Sequence, residues 1–204
     1  SAPSHYSLDK KEGFKTKNVS YFDISPDGKK IAFVSRGVLF VSDKDGDFIA
    51  EIVNNGERVM EVKWLENNQD LLFSMTSNGY SNWYSVSAKG GELKKLTNDL
   101  ASNRDIAFNS DNTQAVYLSG REEVRLLDLK SHKSKTIVTD EIWGFQNSSP
   151  SFSPDGKYVL FTAMRDFEQD VFVHNIAEDK TINLTNTGVS ETDPSWSPDG
   201  KYIY

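Results

Sequence analysis

A short turn motif recurs along this chain at a nearly constant interval, and it constrains the fold more than any other feature of the sequence. Its fullest form, Ser153-Pro154-Asp155-Gly156-Lys157, is followed directly by an apolar run at residues 158–161. Ser, Pro and Asp at the first three positions suit a type I turn, and Gly at the fourth can adopt the left-handed backbone that closes a hairpin. The motif therefore predicts a tight turn that leads into a β-strand.

Equivalents of Asp155 stand at Asp27, Asn67, Asp111 and Asp199, so that successive copies are 40, 44, 44 and 44 residues apart. The residue that follows this position is always Gly or Asn, the two residues that enter left-handed backbone at least cost. These structural turn positions are Gly28, Asn68, Asn112, Gly156 and Gly200. The same backbone requirement is thus present in every copy, even where the Ser-Pro-Asp-Gly motif itself has changed.

Each repeat contains four short runs with the composition of β-strands. In the first repeat these runs cover residues 19–24, 30–35, 38–42 and 48–53, and turn residues separate them. A four-strand unit of about 40–45 residues is the blade period of a β-propeller. The sequence therefore predicts an all-β fold, a partial β-propeller with four four-stranded blades and the start of a fifth.

The repeat also predicts the organisation of the chain. Residues 1–17 are polar and are interpreted as a connector, and residues 18–204 as a propeller fragment. The predicted blades span about residues 18–55, 56–100, 101–140 and 141–187, with a truncated blade at 188–204. Because the last repeat stops inside its second strand, we expect the chain to be a piece of a longer protein. An open strand edge and an uncovered apolar blade face would favour self-association.

Composition restricts the classes of function. The net charge of −7 and the pI near 5.0 argue against a nucleic-acid-binding surface, which is normally basic. No apolar run approaches the roughly 18 residues that cross a bilayer, so no membrane insertion is expected. The absence of cysteine removes thiolate chemistry and disulfides. We expect no cofactor and no metal, and the compartment stays open between the cytoplasm and the periplasm of a prokaryote.

The sequence contains no recognisable catalytic motif. Its three histidines, His5, His132 and His174, are expected to have surface or packing roles. There is no Gly-x-Ser-x-Gly elbow, His-Glu-x-x-His pair or phosphate-binding glycine loop. The aspartates around Gly46 lack the distal Glu of a calcium loop and are interpreted as turn residues. We therefore assign no catalytic residue to this chain.

The arginines are concentrated at one kind of loop. In a four-stranded antiparallel blade, the loop between the second and third strands and the connection to the next blade emerge on the same side. We hypothesise that this side binds peptides or docks a neighbouring domain, because the planar guanidinium fork suits carboxylates and peptide carbonyls. The candidate residues are Arg36, Arg58, Arg104, Arg121, Arg165, Tyr80, Trp143 and Phe167.

Acidic residues near these arginines leave a second interpretation open. Glu57, Asp105, Glu122, Asp166 and Glu168 are close to them in sequence. Loop charges usually form weak, solvated pairs. On this interpretation the arginines are neutralised locally and the loop side binds nothing.

At this level of detail the repeats resemble a known group of proteins. The Ser-Pro-Asp-Gly-Lys turn, the apolar strand after it and the closing Leu-Thr of residues 96–97 and 184–185 resemble the WD-like repeat of TolB, the tricorn proteases and their relatives. Residues 21–37, followed by residues 57–64 and 78–84, are similar to the opening of the second propeller in bacterial tricorn proteases. The resemblance to the repeat extends over residues 19–204.

The tricorn resemblance implies a function. In that family two propellers precede a PDZ-like domain and a serine peptidase core, and the propellers filter and channel peptides. The resemblance implies a non-catalytic, substrate-gating propeller whose partners are peptides and the parent's own PDZ-like and peptidase domains. The parent would be the enzyme, because the family's catalytic Ser and His lie in domains with no counterpart here.

Two other functions remain open. One is a TolB-like protein-interaction scaffold with no peptidase attached. The other is the propeller of a prolyl-oligopeptidase-type hydrolase, which would lead into an α/β-hydrolase domain with a Gly-x-Ser-x-Gly elbow. Since propellers support many functions, the fold alone does not decide among the three.

Overall fold

The computed structural model describes residues 18–139 and 149–204. Within these ranges it contains sixteen β-strands and no helix. The strands form four sheets, each of four antiparallel strands. The predicted all-β architecture of four-stranded blades is confirmed. No helix in the described part of the chain has the length and apolar character that a membrane span requires.

The chain divides into two compact units, of which unit 1 ends at Leu100 and unit 2 begins at Ala101. Each unit contains two sheets, and in each sheet the strands lie in chain order. The first sheet of unit 1 is formed by β1 (Val19–Ile24), β2 (Lys30–Ser35), β3 (Val38–Asp43) and β4 (Ile49–Val53). Its second sheet is formed by β5 (Val59–Trp64), β6 (Asp70–Ser77), β7 (Tyr80–Ser87) and β8 (Lys94–Lys95).

Unit 2 repeats this arrangement. Its first sheet is formed by β9 (Asn103–Phe108), β10 (Gln114–Ser119), β11 (Glu123–Asp128) and β12 (Ser134–Thr139). Its second sheet is formed by β13 (Ser151–Phe152), β14 (Tyr158–Arg165), β15 (Glu168–Asn175) and β16 (Lys180–Asn183). A fifth repeat begins with an antiparallel bridge between Trp196 and Ile203.

The recurring turn has the same hydrogen bonds wherever Ser-Pro-Asp-Gly is intact. In the copy at Ser153, the serine hydroxyl donates to Asp155 Oδ1 at 2.6 Å, and the same oxygen accepts the Lys157 N–H at 3.0 Å. The Ser153 Oγ also accepts the Tyr158 N–H, and the Gly156 N–H donates to the Ser153 carbonyl. These bonds recur in the copies that begin at Ser25 and Ser197.

All five turn positions have left-handed backbone. The φ values are 69°, 56°, 56°, 73° and 70° at Gly28, Asn68, Asn112, Gly156 and Gly200. The two asparagines meet this requirement because a short polar side chain tolerates left-handed backbone. Asn68 does more than the glycines can, since its Oδ1 accepts the Asp27 N–H from the turn of the preceding sheet at 2.8 Å.

The core of unit 1 lies between its two sheets. Small aliphatic side chains of the first sheet, such as Val34 and Leu39, pack against large ones of the second, such as Trp64 and Phe73. All four are at most 3% exposed. Burying a side chain of this size contributes about 1.5–3 kcal/mol. Apolar contact between sheet faces is therefore the main attraction between neighbouring blades.

Polar contacts place the innermost strands of unit 1 side by side. Asp23 of β1 accepts the Trp64 N–H at its carboxylate at 2.7 Å, and its carbonyl accepts the Trp64 indole N–H at 3.1 Å. The other face of β1 is uncovered, with Phe22 62% and Ile24 52% exposed. The self-association expected from such a face stays a prediction.

The core of unit 2 is built in the same way. Val116 and Leu118 of β10 belong to one buried cluster with Phe161 of β14 and Phe172 of β15. The rings of Phe161 and Phe172 stack at a centroid distance of 5.5 Å. The aromatic residue six positions after the turn anchor is therefore a contact between sheets, as its fixed offset suggests.

The closing Leu-Thr of two repeats forms a polar clasp, which is buried in unit 1 and partly buried in unit 2. Thr97 Oγ1 accepts the Trp83 N–H at 3.0 Å and donates to Asn82 Oδ1 at 2.8 Å. In unit 2, Thr185 Oγ1 accepts the Val171 N–H at 3.0 Å and donates to Asp170 Oδ1 at 3.3 Å. In both sheets the threonine continues the pairing of the outer strand where regular β-structure has ended.

We predict that Asp155→Ala lowers the melting temperature by about 2–4 °C, because both hydrogen bonds to Oδ1 are lost. Asp155→Asn keeps an acceptor at Oδ1 and should cost less at pH 7. The hydrogen bonds from Ser153 and Lys157 lower the pKa of Asp155 in the folded state. Its stabilising contribution is therefore present above the unfolded pKa of about 3.9 and is lost as the pH falls through the lower, folded value.

The measurement is thermal unfolding of the wild type and both variants between pH 2 and pH 7. The difference between the wild type and Asp155→Asn should shrink as the pH falls below about 4, since the unfolded carboxylate titrates there. A difference that stays constant over this range would contradict the assignment of the shift to this turn.

We predict that Thr97→Val destabilises the protein by about 1–3 kcal/mol, because the buried Trp83 N–H loses its side-chain acceptor and Asn82 loses a donor. Thr97→Ser is the matched control, since it keeps the hydroxyl and removes only a methyl group worth about 0.8 kcal/mol. Urea denaturation, followed by tryptophan fluorescence, measures both. Equal losses in the two variants would show that the clasp contributes only packing.

Candidate docking surface

Two of the predicted arginines are brought together in unit 1. Arg36 is in the turn between β2 and β3, and Arg58 immediately precedes β5. The Gly37 carbonyl accepts the Val59 N–H at 2.9 Å, which joins the two segments. A Cβ atom placed on Gly37 would stand 2.9 Å from Arg58 Cγ, so the arginine side chain lies directly over the glycine. Only glycine allows this approach, and its φ of 79° independently favours glycine.

Neighbouring hydrogen bonds hold the backbone of Arg58. Its N–H donates to Thr76 Oγ1, and its carbonyl accepts the Thr76 N–H, both at 2.9 Å. The Thr76 hydroxyl donates to Glu57 Oε2 at 2.9 Å, which engages the carboxylate that could have neutralised Arg58. In residues 18–139 and 149–204 no carboxylate is within ion-pair distance of the Arg58 guanidinium. Arg58 is thus an exposed cation on a fixed backbone.

Tyr80 lies at the same end of unit 1. It is the first residue of β7 and pairs with Ser77 across the turn Asn78-Gly79. Ser77 follows Thr76, which bonds to the Arg58 backbone, and the Tyr80 side chain is 39% exposed. We call Arg36, Arg58 and Tyr80 the arginine end of unit 1.

Arg104 of unit 2 has a structural role. It lies within β9, where it donates from a terminal guanidinium nitrogen to the Gly120 carbonyl at 2.6 Å. Its Nε is 3.6 Å from Asp105 Oδ2. Burial raises the pKa of Asp105, and the positive charge of Arg104 partly opposes this rise. For this residue, local neutralisation describes the geometry better than ligand binding does.

Arg165 is also engaged within its own sheet. It ends β14, donates to the Met164 carbonyl at 2.7 Å and places its guanidinium 4.6 Å from the centroid of the Phe172 ring. Phe167, in the turn that follows, is 98% exposed. Arg121 is exposed in the turn between β10 and β11, and Trp143 lies outside the described residues. A single face that contains all eight predicted residues stays a prediction.

The buried histidine serves packing within the sheet. His174 is 1% exposed, and its Nδ1 is 2.9 Å from Oγ1 of Thr181, its cross-strand partner in β16. Burial lowers the pKa of His174, although Asp179, 3.5 Å from Nε2, acts in the opposite direction. The described ranges contain no group of three His, Cys, Asp or Glu residues that could hold a metal ion.

Two residues that position Arg58, Gly37 and Thr76, are not among the candidates that the sequence predicts. A positive φ can be predicted from glycine in a two-residue hairpin. The contact between Arg58 and Gly37, however, is made by segments that belong to two different sheets. No local signal in the sequence reports that contact.

A family model of the TolB beta propeller domain matches residues 119–204. These residues include the last two complete strands of the first sheet of unit 2, all of its second sheet and the start of the fifth repeat. The matched residues, which are less than half of the chain, are similar to that domain. No curated protein sequence matches the chain.

Solved structures share the fold at low sequence identity. A crystal structure of the tricorn protease superposes with a TM-score of 0.73 and 18% identity, over 92% of this chain and 18% of that one. The putative TolB from Agrobacterium tumefaciens gives 0.65 and 18%, over 91% and 68% of the two chains. TolB from Acinetobacter baumannii gives 0.60 and 21%, over 91% and 47%.

These similarities show the fold of the chain and do not identify its function. The chain spans less than a fifth of the tricorn protease and about two thirds of the putative TolB. At least 1179 solved chains match it, so the architecture is too widely shared to single out one activity. At 18% identity, the similarity to the tricorn protease is one of fold.

We predict that Gly37→Ala destabilises the protein by more than the matched change Gly46→Ala. Both glycines have similar left-handed backbone, with φ of 79° and 75°. A Cβ at Gly46 meets nothing within 4 Å, so this variant should show only the backbone cost of about 1–2 kcal/mol. At Gly37 the new methyl group must also displace Arg58.

Chemical denaturation of the two variants measures this difference. Equal destabilisation would show that the Arg58 side chain moves away freely, and that Gly37 does not position it.

Proposed function

We propose that this chain is a non-catalytic, peptide-binding propeller that gates or channels substrates in a tricorn-like serine peptidase. The observation that carries the proposal is the Arg58 guanidinium, which is exposed and lacks a carboxylate partner among the described residues, while its stem lies against Gly37. Superposition on the tricorn protease over 92% of this chain supports the same interpretation.

The chemistry of the arginine end suits transient contacts with peptides. A guanidinium donates two parallel N–H groups to a carboxylate or to peptide carbonyls. Arg58 offers one such group, Arg36 lies on the adjoining segment, and Tyr80 adds an aromatic surface with a phenolic hydroxyl. These groups bind, orient and release a chain without breaking any bond. In this proposal, peptide cleavage belongs to a serine peptidase domain of the parent, next to its PDZ-like domain.

A TolB-like interaction scaffold is the second candidate. The match of the TolB beta propeller domain model to residues 119–204 favours it, as does the coverage of 68% of the putative TolB. A scaffold would use the same loops to hold a folded protein and would not pass on an extended peptide. The two candidates therefore differ in the kind of ligand that the arginine end prefers.

We predict that the double variant Arg36→Gln/Arg58→Gln binds peptides at least 10-fold more weakly than the wild type. A hydrogen bond to a charged group contributes about 1.5–3 kcal/mol, which corresponds to about 10-fold or more in affinity. Fluorescence anisotropy with labelled, unstructured peptides of eight to twelve residues, rich in Asp and Glu, measures the affinity. Lys29→Gln/Lys44→Gln is the control, because it removes the same charge from the turns between the other strand pairs.

The function of the parent provides a second test. In the intact peptidase the arginine variant should raise KM for long peptides and leave kcat for a short chromogenic substrate unchanged. Unchanged anisotropy and unchanged KM together would rule out peptide handling at this end. Tight binding of a folded protein, without binding of the peptides, would favour the scaffold.

A further inference from the structure

The turn between β14 and β15 presents one aromatic side chain almost completely to solvent. Phe167 is 98% exposed, more than any other large apolar residue in the described part of the chain. A two-residue turn, Asp166-Phe167, connects the paired residues Arg165 and Glu168. Single exposed apolar residues are common on protein surfaces. The backbone at Phe167 distinguishes it from such cases.

Phe167 is held in a conformation that disfavours its own side chain. Its φ is 69° and that of Asp166 is 47°, so both turn residues are left-handed. The other non-glycine residues with positive φ in the described ranges are Asn, Asp, His and Arg. A bulky aromatic residue at such a position is an outlier. The corresponding turn of the second sheet of unit 1 places Gly79 there, with φ of 82°.

Phe167 therefore contributes little to its own fold. The aromatic ring is solvated, its backbone is strained, and a glycine would relieve both conditions at once. Strain of this kind persists where the surrounding structure imposes it, and it is concentrated at binding sites. The long hairpin of β14 and β15 imposes it here, with eight paired positions that lead up to the turn.

A second exposed apolar side chain lies beside the turn. Ser190 Oγ accepts the Gln169 N–H at 3.3 Å, and the Glu191 N–H donates to the Gln169 carbonyl at 2.8 Å. A Cβ atom on Gly188 would stand 3.8 Å from Glu168 Oε2. Residues 188–191 thus run along the start of β15. Val189, in the middle of this segment, is 65% exposed.

Two acidic residues, Asp166 and Glu168, flank Phe167 in sequence. Glu191 is joined to Gln169 through its backbone, but its carboxylate accepts the Thr187 hydroxyl at Oε1 at 2.7 Å and its Oε2 is buried. Arg165, which precedes this turn in the sequence, places its guanidinium over the Phe172 ring within the sheet. Phe167, Val189, Asp166 and Glu168 are named the Phe167 knob. Its tip is apolar, and the residues that flank the tip carry a net negative charge.

We propose that the Phe167 knob docks into a protein partner that presents an apolar pocket rimmed by Lys or Arg residues. Buried aromatic anchors dominate the binding energy of protein interfaces, and complementary charge around them sets orientation and association rate. The knob and the arginine end of unit 1 involve different residues, so this proposal does not depend on the proposed peptide function. The carboxylates around Phe167 repel an anionic lipid surface, which favours a protein as the partner.

The first experiment identifies the partner through the knob itself. A photo-crosslinking phenylalanine analogue replaces Phe167 in the protein as it is produced in its source cells, and cross-linked proteins are identified by mass spectrometry. The same analogue at Phe48, which is 76% exposed, is the matched control for an exposed aromatic residue. The expected result is one discrete product at position 167 that is absent at position 48. No discrete product, or the same products at both positions, would overturn the proposal.

The second experiment measures binding of the identified protein after purification. Phe167→Gly should bind the partner at least 10-fold more weakly than the wild type. Because backbone strain is removed, the melting temperature of the variant should rise or stay unchanged. Asp166→Asn/Glu168→Gln should weaken binding mainly at low ionic strength, where surface charges are least screened. Equal binding of the wild type and Phe167→Gly would overturn the proposal, as would a large loss of stability in Phe167→Gly.

A third measurement separates a protein partner from a membrane. Vesicles of phosphatidylcholine, with and without phosphatidylglycerol, are sedimented with the wild type and with Phe167→Gly. We expect neither protein to sediment with either vesicle. Sedimentation of the wild type that Phe167→Gly abolishes would overturn the assignment to a protein. Phe167→Gly should bind the labelled peptides as tightly as the wild type does. The two proposals can therefore fail independently of each other.

Discussion

The left-handed residue that closes each recurring turn is the constraint on which the rest of the structure depends. It sets the first two strands of every repeat in antiparallel register. Once that register is set, large side chains at constant offsets from the turn reach the same face of each sheet. Trp64 and Phe73 are placed in this way against the small side chains of the preceding sheet. A backbone requirement of one residue thus determines which surfaces can stack.

Much of the fold could be predicted from the sequence, because turn chemistry and periodicity are local properties. The first two strands of the first sheet lie at the predicted residues. Other strands are longer than the sequence indicates. The apolar run at residues 171–173 predicts the third strand of the last sheet, whereas β15 covers Glu168–Asn175. Polar and acidic residues at its start gave no strand signal, and cross-strand pairing with β14 extends it.

The candidate site was predictable only in part, since contacts between segments decide what an arginine does. Spacing placed Arg58 and Arg104 in equivalent loops. In the structure Arg104 bonds to the Gly120 carbonyl and pairs with Asp105, whereas the neighbour of Arg58, Glu57, is engaged by Thr76. Neither difference follows from residue type or position along the chain. Equivalent positions of a repeat can therefore be engaged within the sheet in one copy and remain exposed in another.

Asn68 shows what a repeat gains when its motif diverges. Glycine at this turn position satisfies the backbone and offers nothing to a neighbour, so blades that carry it are interchangeable. The asparagine satisfies the same backbone and also accepts the Asp27 N–H of the adjacent turn. This hydrogen bond is specific to one pair of neighbouring blades. Arrays of similar repeats misassemble by exchanging equivalent units. Hydrogen bonds that are specific to one pair of blades favour the correct order of the blades as the chain folds.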